Sequence, residues 1–228
     1  MITERGKILL PIARAAISQV LSVPYTADET APWLAEHGAC FVTLTQDGEL
    51  RGCIGSLQAH RPLLADVKSN AVSAAMRDPR FTPLTIEELD ITTVEVSLLS
   101  ATQEMTVRDE ADALSQLRPN VDGIIFEYSP PDTLLAQPAD CGRGGLAAIP
   151  APKGYAPPSH GRYYRSTFLP QVWESLAQPR QFLGMLRRKA GLPEDFWAEG
   201  VKLSRYTVTK WSESDQALAG HTRERGHG

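Results

Sequence analysis

Residues 39–55 read ACFVTLTQDGELRGCIG, and this stretch decides the fold. Its first part, 39–45, is apolar and β-branched, as strands are. Asp47-Gly48 is a strong signal for a two-residue hairpin turn, and residues 49–55 are predicted to form the returning strand. The first two strands are therefore expected to pair antiparallel.

The elements around this hairpin are read from hydrophobic periodicity and from capping, turn and breaker residues. Helices and strands alternate irregularly, which favours an α+β fold over a doubly wound one. We predict a mostly antiparallel sheet flanked by helices. The predicted helices are 4–22, 31–36, 60–76, 109–117, 169–176 and 179–190, and the further predicted strands are 91–98, 123–128 and 201–210.

One segment differs in composition from the rest of the chain. Residues 129–161 hold seven of the 17 prolines and five of the 17 glycines, which predicts one long inserted loop. Residues 213–228 are polar and are predicted to be a disordered tail. The sequence therefore predicts a single domain over 1–212, interrupted by this loop.

Composition limits the possible functions. The chain has 228 residues, of which 42% are hydrophobic and 22% charged, as in ordinary globular proteins. A net charge of −4 argues against a nucleic-acid binder, which needs a basic face. No signal peptide or bilayer-spanning apolar run is recognised, and three cysteines do not suggest a disulfide framework. We expect a cytoplasmic protein with free thiols.

The hexapeptide 50–55, Leu-Arg-Gly-Cys-Ile-Gly, is the most unusual stretch. In a regular strand Leu50 and Ile54 share one face, and Arg51 and Cys53 share the other. A guanidinium on the face of a thiol favours the thiolate, so Arg51 and Cys53 are the candidate catalytic pair.

The two glycines of the hexapeptide suggest space beside the strand. Gly52 and Gly55 offer no side chain to pack, so a ligand or another backbone segment can approach closely. One interpretation is a reactive thiol in a narrow cleft that admits a substrate. The other is that Cys53 is a small buried hydrophobic residue and the glycines mark a β-bulge.

Two other sets of residues were candidates. Asp78 and Arg80 are predicted either to form a cleft ion pair that orients Arg51 or a substrate, or to be a surface pair. His37, Cys40, Cys53 and His60 superficially resemble metal ligands. Cys40 and Cys53 lie on paired strands and need not converge, so we predict neither a metal site nor a cofactor.

Several motifs resemble those of one family, the AMME syndrome candidate family, which is called AmmeMemoRadiSam system protein A in prokaryotes. The hexapeptide resembles its signature, and further motifs in the same order cover roughly residues 5 to 210. These further motifs are FVTL at 41–44, AAMRDPRF at 74–81, VEVSLL at 94–99, TFLPQVW at 167–173 and RKAGL at 188–192.

The resemblance implies an α+β fold with a larger and a smaller lobe and the hexapeptide near their junction. It also implies a Memo-like protein and a radical S-adenosylmethionine enzyme as partners. Our first hypothesis is an enzyme, or enzyme component, of a modification pathway that uses Cys53 and Arg51. Gly52, Gly55, Asp78 and Arg80 would bind substrate or support the site. The second hypothesis is a non-catalytic binding or adaptor module for either partner.

Overall fold

A computed structural model describes residues 4–130 and 163–215 of the chain. The chain divides into two compact units, the first with the residues up to Ala101 and from Val208 on, the second spanning Thr102–Thr207. The helices are α1 (Glu4–Val20), α2 (Leu63–Met76), α3 (Glu110–Gln116) and α4 (Pro179–Lys189), with 3₁₀ turns at Pro32–Ala35 and Pro170–Glu174. The strands are β1 (Cys40–Gln46), β2 (Glu49–Gly55), β3 (Thr92–Leu99), β4 (Gln103–Met105), β5 (Gly123–Tyr128), β6 (Tyr164–Phe168), β7 (Val201–Tyr206) and β8 (Val208–Ser212).

The first unit contains a four-stranded antiparallel sheet in the order β2-β1-β3-β8. Alternate residues of β1 and β3 are fully buried on one face, as the period of a strand requires. These buried side chains share a core with apolar residues of α1 and α2. The core members from β1 and β3 include Val42, Leu44, Val94 and Val96.

The predicted hairpin turn between β1 and β2 is confirmed. Asp47 and Gly48 have φ values of 50° and 83°. Two consecutive residues in the left-handed region are what a type I′ turn needs, and the Asp-Gly sequence accepts this conformation readily.

The second unit contains another four-stranded antiparallel sheet, in the order β4-β7-β5-β6. Its core is aromatic: Trp173 and Phe182 stack with ring centroids 3.7 Å apart, and Phe126 is fully buried in the same cluster. No helix in either described range is long and apolar enough to cross a membrane.

The structure confirms the α+β class and changes three details of the prediction. The strands form two sheets, and the strands Gln103–Met105 and Tyr164–Phe168 were not predicted. The single strand predicted at 201–210 is wrong, because β7 and β8 are separate strands in different sheets. Local alternation identifies strand residues but carries no information about which distant strand they pair with.

Most of the predicted loop and most of the predicted tail lie in residues 131–162 and 216–228, which are outside the described residues. The start of the predicted tail is described, and there the prediction began too early. Glu213 accepts hydrogen bonds from Arg14 Nε at 3.0 Å and from the Val94 backbone N–H at 2.8 Å, so it belongs to the first unit.

Candidate functional site

The hexapeptide strand β2 carries a bulge at Arg51. Leu44 pairs with Gly52, but Thr45 pairs with Leu50, so Arg51 is the extra residue. Residues opposite each other in an antiparallel pair share a face. Leu50 therefore lies on the face of Cys53, and the prediction that Leu50 and Ile54 share a face is wrong.

Gly52 lies where helix α2 meets the sheet. A Cβ added to Gly52 would stand 2.2 Å from the carbonyl oxygen of Ala74. At Gly55 an added Cβ would stand 2.2 Å from the ring of Phe41. Both glycines thus make room for atoms of the chain itself, and Gly52 matches the expected close approach of another backbone segment.

The sulfur of Cys53 lies on the sheet face opposite the helices. Cys53 pairs across the hairpin with Thr43, whose hydroxyl donates a hydrogen bond to Sγ at 3.3 Å. The Cys53 side chain is partly exposed, whereas Cys40 is fully buried. Burial raises the pKa of the Cys40 thiol, and nearby Asp66 adds to the effect.

Asp78 and Arg80 bind the backbone of Cys53, which lies on the edge strand of the sheet. The Cys53 N–H donates to Asp78 Oδ2 at 2.8 Å, and Arg80 Nη2 donates to the Cys53 carbonyl at 3.2 Å. These groups would otherwise be left unpaired at the edge. The predicted ion pair exists, with Arg80 Nη2 at 2.6 Å from Asp78 Oδ2, and it fixes the position of Cys53.

Electrostatics within this cluster agree with its geometry. Hydrogen bonding from Arg80 lowers the pKa of the buried Asp78 carboxyl, and the Cys53 N–H acts in the same direction. The pKa of Arg80 is raised chiefly by its hydrogen bonds to Asp78, with a smaller contribution from the sulfur of Cys53. Arg80 is thus a cation held at Cys53 by its hydrogen bond to the Cys53 carbonyl.

Arg51 is engaged elsewhere. Its Nε and Nη2 donate to the two carboxylate oxygens of Glu88 at 2.8 and 3.0 Å, a bidentate pair. This bonding lowers the pKa of Glu88 to about 2. Phe81 contacts both arginines, with its centroid 5.9 Å from the Arg51 guanidinium carbon and 5.5 Å from that of Arg80. Arg51 is thus bound to Glu88, whereas Arg80 is bound to the backbone of Cys53.

Sequence reasoning missed Thr43, Phe81 and Glu88. Phe81 belongs to the AAMRDPRF motif, but its position there does not indicate a contact with two arginines. The hairpin turn alone predicts a regular register in which Thr43 pairs with Gly52. The bulge shifts this register by one residue and brings Thr43 opposite Cys53. For Glu88 we find no local sequence signal.

The superficial metal-ligand set does not converge. Cys40 lies on the helix-facing side of β1, with Val42, and Cys53 lies on the opposite side of the sheet. Within 4–130 and 163–215, no group of three or more His, Cys, Asp or Glu side chains could hold a metal ion.

A cavity of about 350 Å³ lies elsewhere in the first unit, with Arg5, Trp33 and His37 among its lining residues. None of its lining residues belongs to the hexapeptide, and neither Asp78 nor Arg80 contributes to it. The Cys53 cluster is therefore separate from this cavity.

Comparison with known proteins identifies relatives along nearly the whole chain. The AMMECR1 family model matches residues 10–211. Protein MJ0810 of Methanocaldococcus jannaschii is 33% identical over 92% of this chain and 90% of its own length. A Methanosarcina acetivorans protein is 32% identical, covering 89% of each chain. The crystal structure of the uncharacterized protein PH0010 from Pyrococcus horikoshii superposes with a TM-score of 0.66 at 28% identity, covering 93% of both chains.

Proposed function

Since the chain belongs to the AMMECR1 family, we propose that it is a cytoplasmic enzyme, or enzyme component, of a modification pathway that uses the Cys53 thiol. The observation that carries this proposal is the surroundings of the sulfur. Cys53 is partly exposed, its sulfur accepts a hydrogen bond from Thr43, and its carbonyl accepts one from the Arg80 guanidinium.

These surroundings supply a hydroxyl donor at the sulfur and a cation at the backbone of the same residue. A hydroxyl that donates to sulfur stabilises a thiolate, and a neighbouring cation does so by charge. A thiolate is the nucleophilic form of cysteine. In this proposal Cys53 is the nucleophile or thiol donor, and Thr43 and Arg80 stabilise it.

The other residues act through these three. Asp78 holds both the Cys53 backbone and Arg80, so it is a positioning residue. Arg51 is held by Glu88 and contacts Phe81, which also contacts Arg80, so in this proposal Arg51 supports the ring on which Arg80 rests. Gly52 and Gly55 allow close packing around β2.

We expect Cys53 to react with a neutral alkylating reagent at pH 7 in the native protein. Cys40 should react on the order of a hundredfold more slowly, because its modification requires local opening of the core. Peptide mapping by mass spectrometry after timed alkylation measures both rates in one sample. If Cys53 reacts only after unfolding, the catalytic proposal is wrong.

Replacing Cys53 by serine should abolish pathway function while the fold is retained. A Cys40→Ser variant is the matched control, because it removes the other described thiol from the same hairpin. The readouts are pathway activity in cells and circular dichroism of the purified variants. Full activity of the Cys53→Ser variant would argue for the second candidate function.

That second candidate is a non-catalytic binding or adaptor module. It is favoured by the observation that both glycines of the hexapeptide, and Asp78, are engaged within the chain. The motif can then be explained by packing alone. In both cases we propose a Memo-like protein or a radical S-adenosylmethionine enzyme as partner. Affinity capture with the native chain, followed by identification of those two proteins, tests the partner proposal.

A further inference from the structure

The guanidinium of Arg80 has an unused edge. Its Nε donates to Asp78 Oδ1 at 2.9 Å, and its Nη2 donates to both Asp78 and the Cys53 carbonyl. Nη1 makes no hydrogen bond to any residue in the described part of the chain. The Arg80 side chain is 53% exposed, and the guanidinium that carries this free Nη1 is bound through Nη2 to the Cys53 carbonyl at 3.2 Å.

In the ion pair of Arg80 with Asp78, the cation is the exposed member. The Asp78 side chain is only 2% exposed, so an incoming molecule meets Arg80 first. Phe81 supports the face of the guanidinium, a cation–π contact that limits its movement.

Two other carboxylates belong to the same region. Glu88 is bound by Arg51, which also contacts Phe81. Glu95 on β3 pairs with Thr43 on β1, which in turn pairs with Cys53 on β2. Glu95 is therefore two strands away from Cys53, roughly 10 Å at normal strand spacing. It is bound by Lys210 at 3.1 Å. Arg80 is therefore the exposed charge next to the sulfur.

We propose that the electrophile attacked by Cys53 carries an anionic group, a carboxylate or a phosphate, which binds the free Nη1 edge of Arg80. This inference rests on the proposed function and names its substrate class. An anion held there lies beside the sulfur, so its neighbouring electrophilic atom is brought within reach of the thiolate. Arg80 then both stabilises the nucleophile and selects the substrate.

Iodoacetate and iodoacetamide give a direct test. The two reagents share the same reactive CH₂–I group, but iodoacetate carries a carboxylate where iodoacetamide carries a neutral carboxamide. In both reactions the thiolate sulfur forms a bond to the CH₂ carbon as the C–I bond breaks, and iodide leaves with the bonding electron pair. The ratio of the two rate constants at Cys53 measures the preference for an anion. The same ratio in the urea-unfolded chain supplies the intrinsic value.

We expect the native ratio to exceed the unfolded ratio by about two- to fivefold, the effect of a partly screened surface charge. Arg80→Gln should bring the ratio to the unfolded value, and Arg80→Lys should retain most of the excess. The matched control is Arg188→Gln, which makes the same charge change at an exposed arginine of the second unit. In the wild type, the difference between the native and unfolded ratios should also become smaller in 0.5 M salt, because salt screens the charge of Arg80 over a shorter distance.

The outcomes separate this inference from the proposed function. If Cys53 reacts with both reagents and the ratio is the same in the native and unfolded chains, the anionic substrate class is wrong and the reactive thiol stands. If native Cys53 reacts with neither reagent, both proposals fail. The salt titration uses the wild type, so the test does not depend on the folding of a variant.

Discussion

Replacing Gly52 by alanine should destabilise the first unit by about 3 kcal/mol or more. The new Cβ would stand 2.2 Å from the Ala74 carbonyl oxygen and 3.1 Å from its carbonyl carbon. These are backbone atoms of α2, which cannot rotate away as a side chain does. Relief requires α2 to move from β2, and overpacking of this kind costs about 1 to 3 kcal/mol, occasionally more.

The control for this variant is Gly184→Ala. Gly184 lies inside α4, where an added Cβ would be 3.4 Å from the Glu194 carbonyl oxygen, an ordinary contact. Alanine is favoured over glycine in a helix by up to about 1 kcal/mol, so this variant should be neutral or slightly stabilised. Urea unfolding of both variants gives the comparison. A Gly52→Ala variant as stable as the wild type would contradict the close packing of α2 on β2.

The same substitution connects packing with the site. Ala74 lies in the last turn of α2, and Asp78, two residues beyond the end of that helix, holds the backbone of Cys53. A shift of α2 at Ala74 is therefore transmitted to the residue that positions the thiol. Any folded fraction of the Gly52→Ala variant should show an altered alkylation rate at Cys53.

The fold was predictable where local signals suffice. The turn at Asp47-Gly48 and the alternation of β3 each depend on the conformational preferences of a few neighbouring residues. The division into two sheets was not predictable in this way. It depends on pairing between distant strands, such as β3 with β8, which local patterns do not encode.

Only some members of the candidate site were predictable, and its pairings were not. Cys53, Asp78 and Arg80 do come together, but the pairing of Thr43 with Cys53 depends on the bulge, and Arg51 binds Glu88. A strand pattern has period two, so one extra residue reverses the face of everything before it. The bidentate bond of Arg51 to Glu88, 37 residues away, has no local signal in the sequence.

Asp78→Asn should lower the free energy of unfolding at pH 7 by about 2 to 4 kcal/mol. The buried carboxylate accepts hydrogen bonds from the backbone N–H groups of Cys53 and Arg80 and from the Arg80 guanidinium. An amide can accept with its oxygen only, and its NH₂ group then faces other donors. Loss of hydrogen bonds to a charged group costs about 1.5 to 3 kcal/mol each, and part of this is recovered because Arg80 can hydrate.

The pH dependence of this variant distinguishes loss of the charge from loss of packing. The pKa of Asp78 in the folded chain lies below its ordinary value, so its carboxylate contributes stability above about pH 4, and this contribution is lost as the pH falls through the folded pKa. The Asp78→Asn variant lacks this contribution, so the stability difference from the wild type should narrow between pH 5 and about pH 2. Urea unfolding across this range measures it, with Asp90→Asn as an exposed control of equal charge change. A difference that does not vary with pH would mean that the carboxylate charge contributes nothing and that Asp78 acts only by its shape.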